Sequence, residues 1–473
     1  MSESTRKQER DFTPEVTALL PEAKQLASSG KVTEAVEKLL VLEKQCRNAS
    51  DGTSTTRVAT AILEIAHDAR NLDLLNLSLL SLSKKHGQLK GTIEAMVNQV
   101  IGWLEDVRSR EGTERWLTLL ESLRTVTEGK IFLETPRARV TKLLSSHHEA
   151  LATGAHASDS TKSRESLQTA SELLSELQVE TYSSMERREK TEFILEQMRL
   201  LEAVARIKDT EAGKGSLADG EPEWIKVRVG GRKINEKFLA DKGNEELKLK
   251  YYDLMIQHGL HYNSYLEVAQ YWFKVWETPF IKEDISGKGR EALENIVYYV
   301  VLAPHTNEQS HMLHKMYQDP ALAKLEIHYN LLKCFTTQEL MRWPGIQGIY
   351  GETLKNTSVF GPDGGKRWED LHMRVIEHNI RVVSQYYTRI TLTRLTSLLD
   401  LSAAQTEETL SRLVVDATVW ARIDRPSGVV TFQKRRSAED VLNDWSSDMN
   451  KLLGSVEKTW MTMNAALAAQ ARV

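Results

Sequence analysis

Residues 374–433 constrain the fold more than any other stretch. Apolar spacing there is helical three times over and then turns twofold. Ile376, Ile380, Val383, Tyr387 and Ile390 step by four and three, which predicts one long helix. Leu395, Leu398 and Leu399 predict a short second helix. Ser402 and Gln405 form an S-x-x-Q capping box that opens a third, whose inner face is Leu410, Leu413 and Val414. Val419, Ala421 and Ile423 then alternate with Trp420 and Arg422, the period of a half-buried strand. Asp424 to Gly428 supplies a Pro-containing turn, and Val429, Val430, Thr431 and Phe432 return as a second strand. Three helices followed by a hairpin is the order of a winged helix.

A winged helix reads DNA or joins proteins, and charge separates the two. Recognition of a duplex needs Lys and Arg for phosphates and Arg or Asn for base edges. The third helix carries Glu407, Glu408 and Asp416 against Arg412 alone. Arg422, Arg425, Lys434, Arg435 and Arg436 cluster at the wing, where a solvated edge is the simpler reading. The whole chain has 62 Lys and Arg against 66 Asp and Glu, a formal charge of −4, so no basic excess is present to hold a polyanion.

The chain has only 25 glycines and 10 prolines in 473 residues, well under the usual ~12%. Few breakers predict long helices and little sheet. Upstream of the winged helix the pattern is one of helical hairpins. Thr13 and Pro14 read as an N-cap and a proline at the first helical position. Pro21 to Ser29 reads as a short helix closed by Gly30, followed by a helix with Val32, Val36, Leu39, Leu40 and Val41. Small residues Ala27 and Ala35 stand near the crossing, as in tetratricopeptide-like units, though no strict repeat of ~34 residues emerges. Further amphipathic blocks fall near 56–70, 73–86, 88–107, 112–126, 135–153, 161–178 and 184–207. Each stripe needs a neighbour to cover it, which stacking supplies.

Two breaks interrupt the repeats. Residues 209–223, DTEAGKGSLADGEPE, predict a flexible acidic loop, and 361–365, GPDGG, a linker before the winged helix. Between them, Tyr251, Tyr252, Tyr262, Tyr265, Tyr271, Trp272 and Trp276 stand at helical spacings and are expected to pack between helices.

After the wing comes one helix, about Ala438 to Ala469, with Ser437 as N-cap. Its stripe is Trp445, Met449, Leu452, Val456, Trp460, Met463 and Leu467. The pattern recurs every eleven residues, at Trp445, Val456 and Leu467, so the stripe stays on one face of a nearly straight helix. At ~1.5 Å per residue it runs roughly 45 Å, too far for a small winged helix to cover. It is shaped to enter a bundle with helices of other chains.

Nothing in the sequence spells catalysis. It has no H-E-x-x-H zinc helix and no G-x-S-x-G elbow. Gly361 to Arg367 imitates a phosphate loop but lacks the Ser or Thr after lysine and a preceding strand. His311 and His314 share a helix face without a third ligand nearby, and His147 and His148 diverge by ~100°. The two cysteines, Cys46 and Cys334, lie far apart and suit a reducing compartment; Cys334 reads as a small core residue. The start, MSESTRKQERDF, lacks the apolar region of a secretion signal, and no run of ~18 apolar residues predicts a membrane span.

Helical repeats, a winged helix and a long terminal helix together resemble the PCI-domain family, scaffold subunits of the proteasome lid, the signalosome and a translation-initiation factor. The blocks RTVTEGKIFLE (124–134), LQVETYSSMERREKTEFILEQMRL (177–200), YVVLAPHTNEQS (299–310), CFTTQELMRW (334–343) and EHNIRVVSQYYTRIT (377–391) resemble the non-ATPase regulatory subunit 12 family of the 26S proteasome. The resemblance implies an all-α solenoid of tetratricopeptide-like hairpins ending in a winged helix and a C-terminal helix. It implies helical repeats over 1–208, a loop at 209–223, repeats over 224–366, a winged helix over 367–436 within a PCI domain of about 262–434, and a bundle helix over 437–473. It further implies a non-catalytic scaffold needed for lid assembly and for ATP- and ubiquitin-dependent degradation, with no cofactor and no metal. The implied partners are other PCI subunits and the metalloprotease-containing pair of the lid, with neither nucleic acid nor membrane, in cytoplasm and nucleus. Candidate interface residues are Val419, Ala421, Ile423, Val429, Val430 and Phe432 in the wing, and the seven stripe residues of the terminal helix. A signalosome or initiation-factor subunit shares this architecture; a nucleic-acid-binding winged helix is the remote alternative.

Overall fold

The computed structural model describes residues 11–154, 159–212, 220–241, 243–283, 287–361, 364–432 and 438–470. The chain divides into two compact units, Met1–His261 and Tyr262–Val473.

The first unit is a stack of helices: α1 (Thr13–Ser28), α2 (Val32–Asn48), α3 (Gly52–Asp68), α4 (Leu72–Lys84), α5 (Lys90–Glu111), α6 (Thr113–Thr127), α7 (Glu134–Thr153), α8 (Ser160–Ser175), α9 (Arg187–Ala212), α10 (Glu221–Lys233), α11 (Glu236–Leu239) and α12 (Glu245–His261). From α1 to α7 each helix packs on the next, and α1, α3, α5 and α7 follow one another as a second row of contacts, as in a solenoid of hairpins. One apolar core runs through it from Phe12 to Leu173.

The first three turns recur at a fixed step. Gly30, Ser50 and Arg70 all take positive φ, at 87°, 59° and 55°. Each donates to the carbonyl three residues back, while the next residue reaches five back: Lys31 to Leu26, Asp51 to Cys46 and Asn71 to Ala66. These are Schellman closures, and they spend the orphan carbonyls at the end of each helix. Asp51 and Asn71 then cap α3 and α4 through Ser54 N and Leu74 N. Asp51 does more, because its Oδ2 also accepts from Phe12 N at 3.1 Å and so ties the start of α1 to the start of α3.

Helix α1 differs from the sequence expectation. It begins at Thr13 with Phe12 as N-cap, and it runs unbroken through Pro21. Pro21 removes a helical hydrogen bond and crowds the preceding turn, at a cost of ~3 kcal/mol or more. Residues on both sides of it bury on the same core, Val16 before and Ala23 after, and that shared face keeps the helix continuous. Helix also covers both ends of the expected loop at 209–223. Trp224 Nε1 donates to Asp209 at 2.8 Å and Lys208 pairs with Glu223 at 2.9 Å, which holds the end of α9 against the start of α10. Residues 213–219 lie outside the described residues, as do Pro362 and Asp363 of the expected linker.

The second unit opens with α13 (Tyr265–Trp276), α14 (Pro279–Glu283), α15 (Lys288–Leu302), α16 (Asn307–Tyr317), α17 (Glu326–Thr336) and α18 (Trp343–Lys355). Its aromatics pack in part as expected: Tyr265 and Trp276 are buried and Tyr271 and Trp272 partly covered, but Tyr262 is exposed just before α13 begins, and Tyr298 and Tyr299 face the core from α15. Then come α19 (Gly365–Tyr386), β1 (Arg389–Thr391), α20 (Leu392–Leu399), α21 (Ala403–Val415), β2 (Arg422–Asp424), β3 (Val429–Thr431) and α22 (Ala438–Gln470).

Residues 365–432 form the winged helix. Ile376, Ile380, Val383, Leu395, Leu399, Leu410 and Leu413 make its core with Ile390, Val419, Val430 and Phe432. The capping box at Ser402 and Gln405 is present in both directions. Two expectations need correction. Tyr387 is the C-cap of α19, not a helical residue, and Ile390 lies in β1. The step from Val383 to Tyr387 to Ile390 imitates another helical turn, but Thr388 to Thr391 pairs with β3 instead. The first wing strand is also shorter than 419–423, since ladder pairing covers only Arg422–Asp424. The sheet therefore has three antiparallel strands in the order β1-β3-β2.

Candidate protein–protein interface

The wing is built around Val430. It lies opposite Ile390 on one side and Ile423 on the other, and its side chain is fully buried. Phe432 N donates to Thr388 O, and Leu392 N donates to Gly428 O, so even-numbered residues of β3 bond toward β1. Hydrogen-bond direction alternates along an antiparallel strand. Val429 and Thr431 therefore bond toward β2, and the N–H and C=O of Ile423 point away from β3, along an open edge.

The six wing candidates divide accordingly. Val419, Val430 and Phe432 are buried in the winged-helix core, with Ala421 and Ile423 packed against it and Val429 partly covered. Their side chains hold the wing in place. What the wing offers outward is backbone at Ile423 and the exposed ring of Trp420. Arg425 does not stand free at the tip, because it pairs with Glu407 and pins the turn to α21. Lys434 to Ser437 lie outside the described residues.

The terminal helix behaves differently. Helix α22 has 33 residues, ~50 Å by helical rise. Every side chain described from Ala438 to Ala468 is exposed. Trp445, Met449, Leu452, Val456, Trp460, Met463 and Leu467 all stand in solvent; Trp445 and Trp460 are each 63% exposed. Val441, Leu442 and Leu453 are exposed as well, and at 100° per residue they fall in the same arc of about 120°. Their spacings of seven and eleven were available in the sequence and widen the stripe. Helices in proteins owe most of their stability to packing of an amphipathic face, and this face has no cover among the described residues.

Other candidate groups are structural. His147 is buried against Trp116, with burial as the main cause of a lowered pKa. Cys46 is fully buried and desolvation pushes its thiol up to about 11; Cys334 is partly covered, its thiol likewise raised by burial. Among the described residues no three His, Cys, Asp or Glu side chains are grouped to hold a metal ion. No described helix is long and apolar enough to cross a membrane.

A solenoid that runs to a winged helix with an open edge, followed by an uncovered terminal helix, defines the PCI class of protein. The PCI domain family matches residues 323–434; the family described as PSMD12/CSN4, N-terminal, matches 34–284; and the 26S proteasome regulatory subunit RPN5 C-terminal domain matches 439–460. The 26S proteasome regulatory subunit RPN5 of Saccharomyces cerevisiae is 40% identical over 95% of this chain and 94% of its own length. The 26S proteasome non-ATPase regulatory subunit 12 of Dictyostelium discoideum is 36% identical over 97% and 95%. Homolog A of that subunit in Arabidopsis thaliana is 36% identical over 92% and 96%. The chain belongs to this family of proteasome regulatory subunits, RPN5 or non-ATPase regulatory subunit 12.

Proposed function

We propose that this chain is a non-catalytic scaffold of the proteasome regulatory-particle lid, joined to other PCI subunits through the wing edge and through α22. In this reading it helps position the metalloprotease-containing pair and supports ubiquitin-dependent degradation without doing chemistry itself. The observation that carries it is the bare stripe of α22, which coincides with the stretch matched by the RPN5 C-terminal domain. Ten apolar side chains at ~1.5–3 kcal/mol each would give well over 10 kcal/mol on burial, before ordering costs. That match at 439–460 also favours the proteasome over the signalosome. Truncation after Arg436 is the test. It should leave the melting temperature of the isolated chain within about 2 °C and abolish stable incorporation into the lid. A truncated chain that assembles normally would refute the reading. We further propose that the protein occupies cytoplasm and nucleus, which fluorescence of a chromosomally tagged copy would check.

A further inference from the structure

Helix α19 carries a charge cluster that the described residues leave unbalanced. Arg374, Glu377 and Arg381 stand at i, i+3 and i+7, on one face. Glu377 is buried, and both of its oxygens are taken. Arg374 Nη1 donates to Oε2 at 2.5 Å, and Arg412 Nη2 reaches across from α21 to Oε1 at 3.1 Å. Arg381, one turn further on, is within range to feel Glu377 but makes no ion pair with it. Two guanidinium groups thus share the carboxylate, and the third feels it only at a distance.

Arg381 is the odd member. Its side chain is only partly exposed, and its Nε is buried without a hydrogen-bond acceptor, as is the Nε of Arg374. Neighbouring imidazoles give no hydrogen bond to it, since His305 Nδ1 pairs with Gln309 Oε1 and His378 Nε2 with Glu339 O. A guanidinium whose Nε is buried without an acceptor carries a cost in a folded chain. Such a group persists where function needs it, because an incoming anion would repay its burial. The cluster is reachable: the side chains of Arg374 and Arg412 are 23% and 45% exposed.

We infer that Arg381, on the same helix face as the Arg374–Glu377 pair, is a receiving site for an Asp or Glu carboxylate of a neighbouring protein chain. A planar fork of donors matches a carboxylate bidentately, and a fixed cluster in a rigid helix suits a protein side chain that arrives in one register. This rests on the reading of the chain as a docked subunit. It adds a specific ionic contact on α19 that is separate from the wing edge and from α22.

Arg381→Met tests it. The other lid subunits, co-expressed and purified without this chain, are titrated with full-length wild type and variant. Removal of an unsatisfied cation should leave the unfolding midpoint of the isolated chain unchanged or higher. Affinity for the subunits should fall by about 30-fold or more, because a partner carboxylate loses its donor. Arg381→Lys should restore only part of it. If Arg381→Met lowers the midpoint and Arg381→Lys restores it, the arginine serves the chain's own fold and the inference fails. Unchanged affinity for the variant overturns it too. A rise in the wild-type midpoint with millimolar inorganic phosphate, absent in the variant, would assign the site to a free anion instead. Failure of the wild-type chain to bind the subunits would refute the scaffold reading itself.

Discussion

Asn379 matches both polar groups of the Met341 backbone. Its Oδ1 accepts from Met341 N at 2.8 Å, and its Nδ2 donates to Met341 O at 2.7 Å. The segment 337–342 between α17 and α18 has no regular structure of its own, so α19 supplies the partners a sheet would have given. Both residues are buried. Asn379→Leu keeps the branched shape and strands a buried donor and acceptor together. The expected loss is about 2–4 kcal/mol, measured as a lower urea midpoint with unchanged m.

The preceding residue clamps the same segment. His378 Nε2 lies 3.2 Å from Glu339 O, and burial lowers the His378 pKa to about 4 from an ordinary 6.5. A depressed histidine takes up its proton in the unfolded chain first. Stability is therefore full above pH 6.5 and declines as pH falls toward 4. The loss by pH 4 is about 3 kcal/mol from this residue. His378→Gln should flatten that part of the pH profile in equilibrium denaturation at pH 7.5, 6 and 5. A profile identical to wild type would show that other groups set the acid limb.

The helices and the winged-helix core were legible because apolar spacing at Ile376, Ile380, Leu410 and Leu413 reports burial directly. Strand β1 was not. Ile390 satisfies a helical and an extended reading equally, and only its partner Val430, 40 residues on, decides between them. The step of the first three turns was hidden for another reason. Glycine marks the positive φ at Gly30 alone, while Ser50 and Arg70 adopt it under tertiary constraint. The unbalanced arginines on α19 were invisible in the same way, since Arg412 arrives from a different helix. The terminal stripe was readable because it depends on one helix, with no partner among the described residues, although the seven positions read from the sequence left out Val441, Leu442 and Leu453.

Arg70 should repay removal of its Cβ. At φ 55° an L-residue carries a penalty of roughly 1 kcal/mol that glycine escapes. Arg70→Gly is expected to stabilise the first unit by about 0.5–1 kcal/mol, less what glycine adds to unfolded-state entropy. Differential scanning calorimetry of the full chain would register this as a raised first transition. A lowered transition would mean that the Arg70 side chain contributes more than its backbone costs.

Ile423 and Val430 separate the wing's fold from its edge. Proline at Val430 removes an N–H that bonds toward β1 in the central strand, and should cost ~3 kcal/mol or more. Proline at Ile423 removes an N–H that points out of the sheet. Its cost to the isolated chain should be about 1 kcal/mol or less. If a neighbouring strand or loop pairs with that edge, Ile423→Pro will nonetheless weaken lid assembly in a reconstitution assay. Assembly at wild-type yield would exclude the Ile423 backbone from the joint.

Trp460 gives the sharpest test of α22 as an assembly element. Its ring is 63% exposed and sits in the apolar arc with Leu442, Leu453 and Val456. Lys458 is close in sequence but lies on the opposite side of the helix. In the isolated chain neither side chain is buried, so Trp460→Ala and Lys458→Ala should each change stability by no more than about 0.5 kcal/mol. In the complex they should part company. A buried tryptophan at the centre of an interface typically costs about 2 kcal/mol or more when truncated, whereas a rim lysine costs little. Competition between tagged wild-type and variant chains for incorporation into the lid would read the difference as roughly 30-fold against Trp460→Ala. Equal incorporation of both variants would mean that this face of the helix stays wet in the assembled particle.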